Sequence, residues 1–185
     1  MGAIDLQNVR LIKYPDPILA QPAARVEEFT PELRELAEAM FRIMYTARGV
    51  GLAGPQAGVS LRIFVANPDG EGGEGERVYV NPEIIDASGH AIDEEGCLSL
   101  PGISCKIKRA AHVVLRAQDL DGKVFEETAE GLLARIFQHE GDHLDGILIA
   151  DKMSIVGRMA NRNRLKELEE EHVSQAAAGG GKPGL

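Results

Sequence analysis

The chain has no tryptophan and only two cysteines, Cys97 and Cys105, among its 185 residues. Two thiols are too few for a disulfide framework, so the expected surroundings are reducing. Positive charge is also in deficit: 20 Lys and Arg stand against 29 Asp and Glu, a formal net charge of -9. That balance excludes a general nucleic-acid binder, which needs a cationic surface, and no DNA partner is expected. No apolar run approaches the ~18 residues of a membrane span. The start, "MGAIDLQNVRLIKYPDP", lacks the charged and apolar regions of a secretory signal, and Leu6 stands where a myristoylation pattern needs Ser or Thr. The expectation is a cytoplasmic protein without a membrane partner. What is present, 44% hydrophobic and 26% charged residues, suits one globular domain with a sizeable core.

Three helices are legible. In "FTPELRELAEAMFRIMYTARG", Thr30 is the expected N-cap and Pro31 the first helical residue, where a missing N–H costs little. Leu33, Leu36, Ala37, Met40 and Ile43 or Met44 recur at helical spacing, and Gly49 is the expected stop. "GVGLAGPQAGVS" follows, too rich in glycine for a regular element. "LRIFVA" and "RVYVNP" read as strands joined by a polar, mobile loop, "PDGEGGEGE". "HVVLRAQDLDGKVFEETAE" reads as a hairpin turning at Asp121-Gly122. The second helix is "EGLLARIFQHEGDHLDG", ending at Gly146. Gly141 inside it costs roughly 1 kcal/mol against alanine, and a crowded neighbourhood is the only reason the sequence offers for it. The third helix spans about 155–172, with Arg158, Arg162, Arg164 and Lys166 ahead of an acidic "ELEEE". The ending "AAAGGGKPGL" has too little apolar surface to order itself.

The chemistry concentrates in the second helix. Residues i and i+4 are neighbours on a helix face, so His139 and His143 can offer ring nitrogens to one ion, as in the HExxH pattern of zinc hydrolases. Glu140 then stands beside the site, able to reach a metal-bound water without being a ligand. A metal lowers that water's pKa from 15.7 toward about 7. The bland alternative is a pair of solvated or core histidines. A catalytic centre needs a third protein ligand and one open position. The metzincin pattern would put it at Ile149, which cannot ligate. A glutamate among Glu167 to Glu171 would suit an HExxH endopeptidase, but that run reads as a solvated helix face. Cys97, in "EEGCLSLPG", is the better third ligand, a lone thiol on rigid irregular backbone. Cys105 reads as an inert buried cysteine.

Together "GVGLAGPQ", "EGCLS" and "QHEGDHLDG" resemble the three signature motifs of the peptide deformylases, in the family's order. "IKYPDPIL" and "LDGKVFEETAEGLLARIFQHE" are similar too, and the likeness covers roughly residues 4–150. It departs from the commonest form at Gly54, where alanine is usual, and at Gly141, a variable position. The resemblance implies an α+β fold, antiparallel sheets around a central helix carrying HExxH, plus a C-terminal helix. The expected division is a catalytic domain over 1–150, a helical extension over 151–174 and a disordered tail over 175–185. The implied activity is hydrolysis of the N-formyl group of N-formylmethionyl nascent peptides, releasing formate.

Carried onto this chain, the resemblance makes Cys97, His139 and His143 metal ligands and Glu140 the general acid/base. Gln56, by its side-chain amide, and Leu98, by its backbone N–H, become oxyanion donors. Val50, Gly51, Leu132 and Ile136 form the methionine pocket, although core packing would equally explain Leu132 and Ile136. Glu95, Asp142 and Arg109 are expected behind the ligands, with Asp142 pairing Arg109. Cys/His/His suits zinc, iron, cobalt or nickel, and the family implies Fe2+ in the cell. The basic stretch from Arg158 to Lys166 is the candidate contact with the ribosome. A non-catalytic binding protein on the same scaffold is the rival of a different class, disfavoured because such a protein needs neither Gln56 nor Glu140.

Overall fold

A computed structural model describes residues 4–70 and 74–179, without the side chains of 175–179. Residues 71–73 of the expected mobile loop and 180–185 of the expected tail lie outside the described residues. Helix α1 (Pro31–Thr46) comes first, then strands β1 (Gly51–Ala53), β2 (Ile63–Ala66), β3 (Arg77–Ser88), β4 (Ala91–Gly96), β5 (Ser104–Arg109), β6 (His112–Gln118) and β7 (Val124–Glu130). Helices α2 (Gly131–Leu144), α3 (Ile149–Lys152) and α4 (Ile155–Gly179) close the chain. Five strands form one antiparallel sheet in the order β1-β2-β3-β6-β7, and β4 and β5 form a separate pair.

Alternation along β2 shows why a sheet forms between two helices. Ile63 and Val65 join Leu33, Leu36, Met40 and Met44 of α1 in one apolar cluster. Phe64 and Ala66 point the other way, into the cluster holding Ile136, Phe137 and Leu144 of α2. Phe64, Tyr79 and Phe137 form the centre of that second layer, with Tyr79 centroids 4.6 Å from Phe64 and 4.9 Å from Phe137. This aromatic contact seats the histidine helix on the sheet. A third cluster packs β5 against the C-terminal helices through Ile107, Leu148, Ile149, Leu165 and Leu168.

Several expectations are corrected. The glycine-rich stretch after α1 holds a strand and a 3-10 turn over Gly54–Ala57, because β1 gains main-chain partners along β2. Helix α1 does not end at Gly49. Arg48 takes the left-handed position (φ 58°), and the N–H of Gly49 reaches back to the Met44 carbonyl at 2.8 Å. The same motif closes α2, where Gly146 supplies φ 75° and the Ile147 N–H donates to the Asp142 carbonyl at 2.8 Å. Helix α4 runs to Gly179, so the first five residues of the expected tail, 175–179, are helical. Gly141 is not crowded: a Cβ there meets nothing within 4 Å.

The two glycines of the histidine helix therefore differ. A Cβ at Gly146 would lie 2.8 Å from the Ala20 carbonyl carbon and adopt a left-handed backbone as well. Gly146→Ala is expected to cost about 2 kcal/mol or more, and Gly141→Ala to stabilise by about 0.5–1 kcal/mol. Urea denaturation reads both. Equal shifts of the same sign would contradict this account of the helix end.

Candidate metal centre

Two separate elements bring the metal-ligating side chains together. Cys97 follows β4 directly, while His139 and His143 lie on α2. Cys97 Sγ is 3.2 Å from His143 Nε2, which is itself 3.2 Å from His139 Nε2. These are the separations expected between ligands of one first-row ion: bonds of about 2.0–2.1 Å to nitrogen and 2.3 Å to sulfur at tetrahedral angles give edges of about 3.3–3.6 Å. Among the described residues this is the group of three His, Cys or acidic side chains placed to hold a metal. Glu167, Glu169, Glu170 and Glu171 instead pair with Arg164, Tyr14 and Lys166 on and beside α4, which removes the basis for a glutamate ligand.

The surrounding groups fit an ion. His139 Nδ1 meets Glu95 Oε2 at 3.0 Å, which leaves Nε2 for the centre. Burial opposes charge on both rings. Hydrogen bonds to Cys97 and Glu95 nevertheless lift His139 above the ordinary histidine value. Burial and the charge on His139 hold His143 well below it. The buried side-chain atoms left without a partner among the described residues are Glu140 Oε2 and His143 Nδ1, both in this centre. Burial pushes the Glu140 carboxyl up to about 7.

Behind the ligands, burial alone would raise Glu95, but hydrogen bonds from Arg109 and His139 hold it well below the usual carboxylate range. Arg109 spans Glu95, at 2.8 Å through both Nε and Nη2, and Asp142, so the expected Arg109–Asp142 pair is present. Lys152 joins Asp142 at 2.7 Å.

In front lies a cavity of about 410 Å³ lined by Val50, Gly51, Gln56, Cys97, Leu98, Leu132, Ile136, His139 and Glu140, among others. The site residues expected from sequence for the ligand, acid/base, donor and pocket roles, His143 apart, border this one space. Leu132 is half exposed at its rim, so core packing does not explain it. Ile136 serves both cavity and core. Gln56 is fully enclosed, its Oε1 accepting from the Ala53 N–H at 2.8 Å. Its Nε2 is left facing Ser99 Oγ at 3.3 Å and Cys97 Sγ at 3.5 Å. Among the described residues the Leu98 N–H meets no acceptor.

The glycines at 49 and 51 have a reason the sequence did not give. A Cβ at Gly49 would lie 2.6 Å from Leu98 Cδ1, and one at Gly51 would collide with Glu140 Oε1. Their missing side chains make room for two site residues. Sequence reading missed Ser99, Lys152 and Arg135. Arg135 carried a signal: an arginine at i−4 from His139, inside the apolar run "GLLARIF".

Thiolate and imidazole ligands around a space that also receives a buried carboxylate and an amide define the class: a single-metal hydrolase centre. The chain matches the polypeptide deformylase family over residues 9–159, and it belongs to that family. It is 48% identical over 160 residues to the peptide deformylase of Acidobacterium capsulatum, covering 86% of this chain and 94% of that one. It is 44% identical over 175 residues to the chloroplastic peptide deformylase 1B of Oryza sativa, 92% of this chain and 65% of that one. Crystals of peptide deformylase from Plasmodium falciparum contain the same fold, with a TM-score of 0.87 at 39% identity over 89% of this chain and 98% of the other.

The close approach at Gly51 yields a prediction. Gly51→Ala should displace Glu140 and lower kcat at least about tenfold, while Cys97, His139 and His143 keep their metal. Steady-state kinetics with metal analysis on the same sample decides it; an unchanged kcat would contradict the crowding argument.

Proposed function

We propose that Cys97, His139 and His143 hold one divalent ion and that Glu140, Gln56 and Leu98 use it to remove formyl groups. Family membership makes the chain a peptide deformylase, a metallohydrolase acting on formylated nascent peptides. The residue roles are our reading, and the observation that supports them best is the 3.2 Å approach of Cys97 Sγ to His143 Nε2 across two separate elements, with all three ligand atoms within 4.8 Å of one another. Ferrous iron is the ion we assign in the cell. The same ligands accept zinc, nickel or cobalt in purified protein. When bound, the ion supplies Lewis acidity, which lowers the pKa of a coordinated water toward about 7.

The chain's own groups do the rest. Glu140 takes a proton from the attacking water and returns it to the amine nitrogen as the formyl C–N bond breaks, so formate leaves and a free amino terminus remains. A carboxyl pushed to about 7 by burial is matched to both halves of that task. Negative charge grows on the formyl oxygen meanwhile. Gln56 Nε2, held in place by the Ala53 and Ser99 contacts, and the Leu98 N–H donate to it, each worth about 2.7–4 kcal/mol in such a position. An amide donor suits this place because, carrying no charge, it does not neutralise Glu140.

Val50, Leu132 and Ile136 give the cavity an apolar wall for the methionine side chain. β1 stands at the edge of the five-stranded sheet, where an extended peptide can add alongside Val50 and Gly51. Such main-chain pairing is indifferent to the sequence that follows methionine.

We read residues 1–150 as the catalytic unit and 151–174 as its C-terminal extension, working in the cytoplasm. No described helix is long and apolar enough to cross a membrane. Ribosome contact is assigned to α4. Arg164 and Lys166 are engaged by Glu167, Glu171 and Glu170, and Arg158 donates to the Ala150 carbonyl, which leaves Arg162 the least engaged of the four to face RNA. Trimming residues 155–185 should abolish co-sedimentation with ribosomes; undiminished co-sedimentation would discard that assignment.

The direct test is formate release from formyl-Met-Ala-Ser by anaerobically metallated protein, with unformylated peptide and chelator controls. Glu140→Gln should retain the metal and lose about 10²–10⁴-fold in kcat. Fully metallated wild-type protein that releases no formate would favour a binding module on this scaffold.

A further inference from the structure

Glu95 receives four hydrogen bonds, enough to occupy both carboxylate oxygens. Arg109 Nε and Arg135 Nη1 reach Oε1 at 2.8 and 2.6 Å, and Arg109 Nη2 and His139 Nδ1 reach Oε2 at 2.8 and 3.0 Å. Arg109 and His139 have evident reasons to be there. Arg135 has none in the mechanism above. It touches no ligand atom, yet its side chain is only 11% exposed and borders the cavity.

The geometry of Arg135 shows what it joins. It rises from α2 one turn before His139, and Glu95 lies on β4 two residues before Cys97. Beyond Glu95, Arg135 Nη1 donates to the Ile107 carbonyl of β5 at 3.1 Å, and Nη2 approaches the Ala91 carbonyl of β4 at 3.5 Å. One guanidinium therefore ties both strands of the two-stranded sheet to the helix carrying the imidazoles. The planar fork can serve a carboxylate and backbone carbonyls at once, which a lysine cannot reproduce.

We propose that Arg135 is a positioning residue for metal capture. By bridging Glu95 Oε1 and the β4–β5 backbone to α2, it holds Cys97 Sγ at ligand distance from His139 and His143, and it leaves Glu95 Oε2, shared with Arg109, to orient His139. The inference rests on the ligand assignment above and asks in addition what keeps the two halves of that set in register. Groups that orient ligands in this indirect way typically change metal affinity 10–100-fold when removed.

The test compares wild type, Arg135→Met and Arg135→Lys, each loaded with one zinc per chain, by the rate at which a chelator with a colour change removes the metal. Met keeps the aliphatic stem without donors; Lys restores one charged donor to Glu95 but not the fork. Expected is metal loss at least tenfold faster for Arg135→Met, an intermediate rate for Arg135→Lys, and a lower kcat with KM for formyl-Met-Ala-Ser within twofold of wild type. Unchanged chelator kinetics in Arg135→Met would overturn the proposal. So would a raised KM at unchanged kcat, which would make Arg135 a substrate contact. If Arg135→Met does not fold, Arg135→Lys with wild-type metal loss would overturn it equally. Wild type that takes up no zinc would instead sink the ligand assignment itself, so the two failures are distinguishable.

Discussion

Everything in this protein that concerns chemistry depends on one buried carboxylate. Glu95 would be costly in an apolar interior if left alone, because a charge taken out of water must be paired and hydrogen-bonded to be tolerated. Here it is saturated by donors from β5 and α2, and it is the point at which the strand leading to Cys97 meets the helix bearing His139 and His143. Among the described residues the two-stranded sheet shares no strand pairing with the five-stranded one. Polar anchoring through Glu95 supplies on the ligand side what apolar packing supplies elsewhere. On the opposite side of α2, Phe137 against Tyr79 and Phe64 fixes the helix to the main sheet. The helix that carries the imidazoles is thus held by an ionic anchor on one side and an aromatic one on the other.

That arrangement accounts for the division of labour around the cavity. Elements carrying ligands and donors are short and rigid: the turn at Leu98–Ser99, the 3-10 turn of Gln56, and the second half of α2. The apolar residues lining the cavity come from α2 and the segment before β1, so the helix that carries the imidazoles also supplies part of the apolar wall. Preorganisation of this kind is what electrostatic catalysis requires, since donors already in place need no reorganisation as charge develops.

Much of the site could be read from the sequence because its signal is local. Two histidines at i and i+4 with an adjacent glutamate fall on one helix face whatever surrounds them. Cys97 stood out as a lone thiol in irregular backbone, whereas helical spacing marked Leu132 and Ile136 only as apolar and the family resemblance was needed to place them in the pocket. The parts that escaped are non-local. Nothing near Gly51 in sequence announces that Glu140, far along the chain, occupies the space of its missing side chain. Nothing near Arg135 reveals a carboxylate on β4. The strand inside the glycine-rich stretch forms because β2 offers partners, a tertiary effect that outweighs weak local propensity. At the end of α1, Arg48 occupies a left-handed position that composition alone assigns to the following glycine. The helical extension of α4 past residue 174 is a local exception: a run with too little apolar surface to pack still continues the helix through the propensity of its alanines.

The central claim is that sulfur from one element and nitrogen from another share one ion. X-ray absorption on the zinc-loaded protein tests it directly. The account predicts one sulfur at about 2.3 Å and two imidazole nitrogens at about 2.0–2.1 Å, with the sulfur contribution lost in Cys97→Ser. A wild-type metal environment made only of nitrogen and oxygen would contradict it.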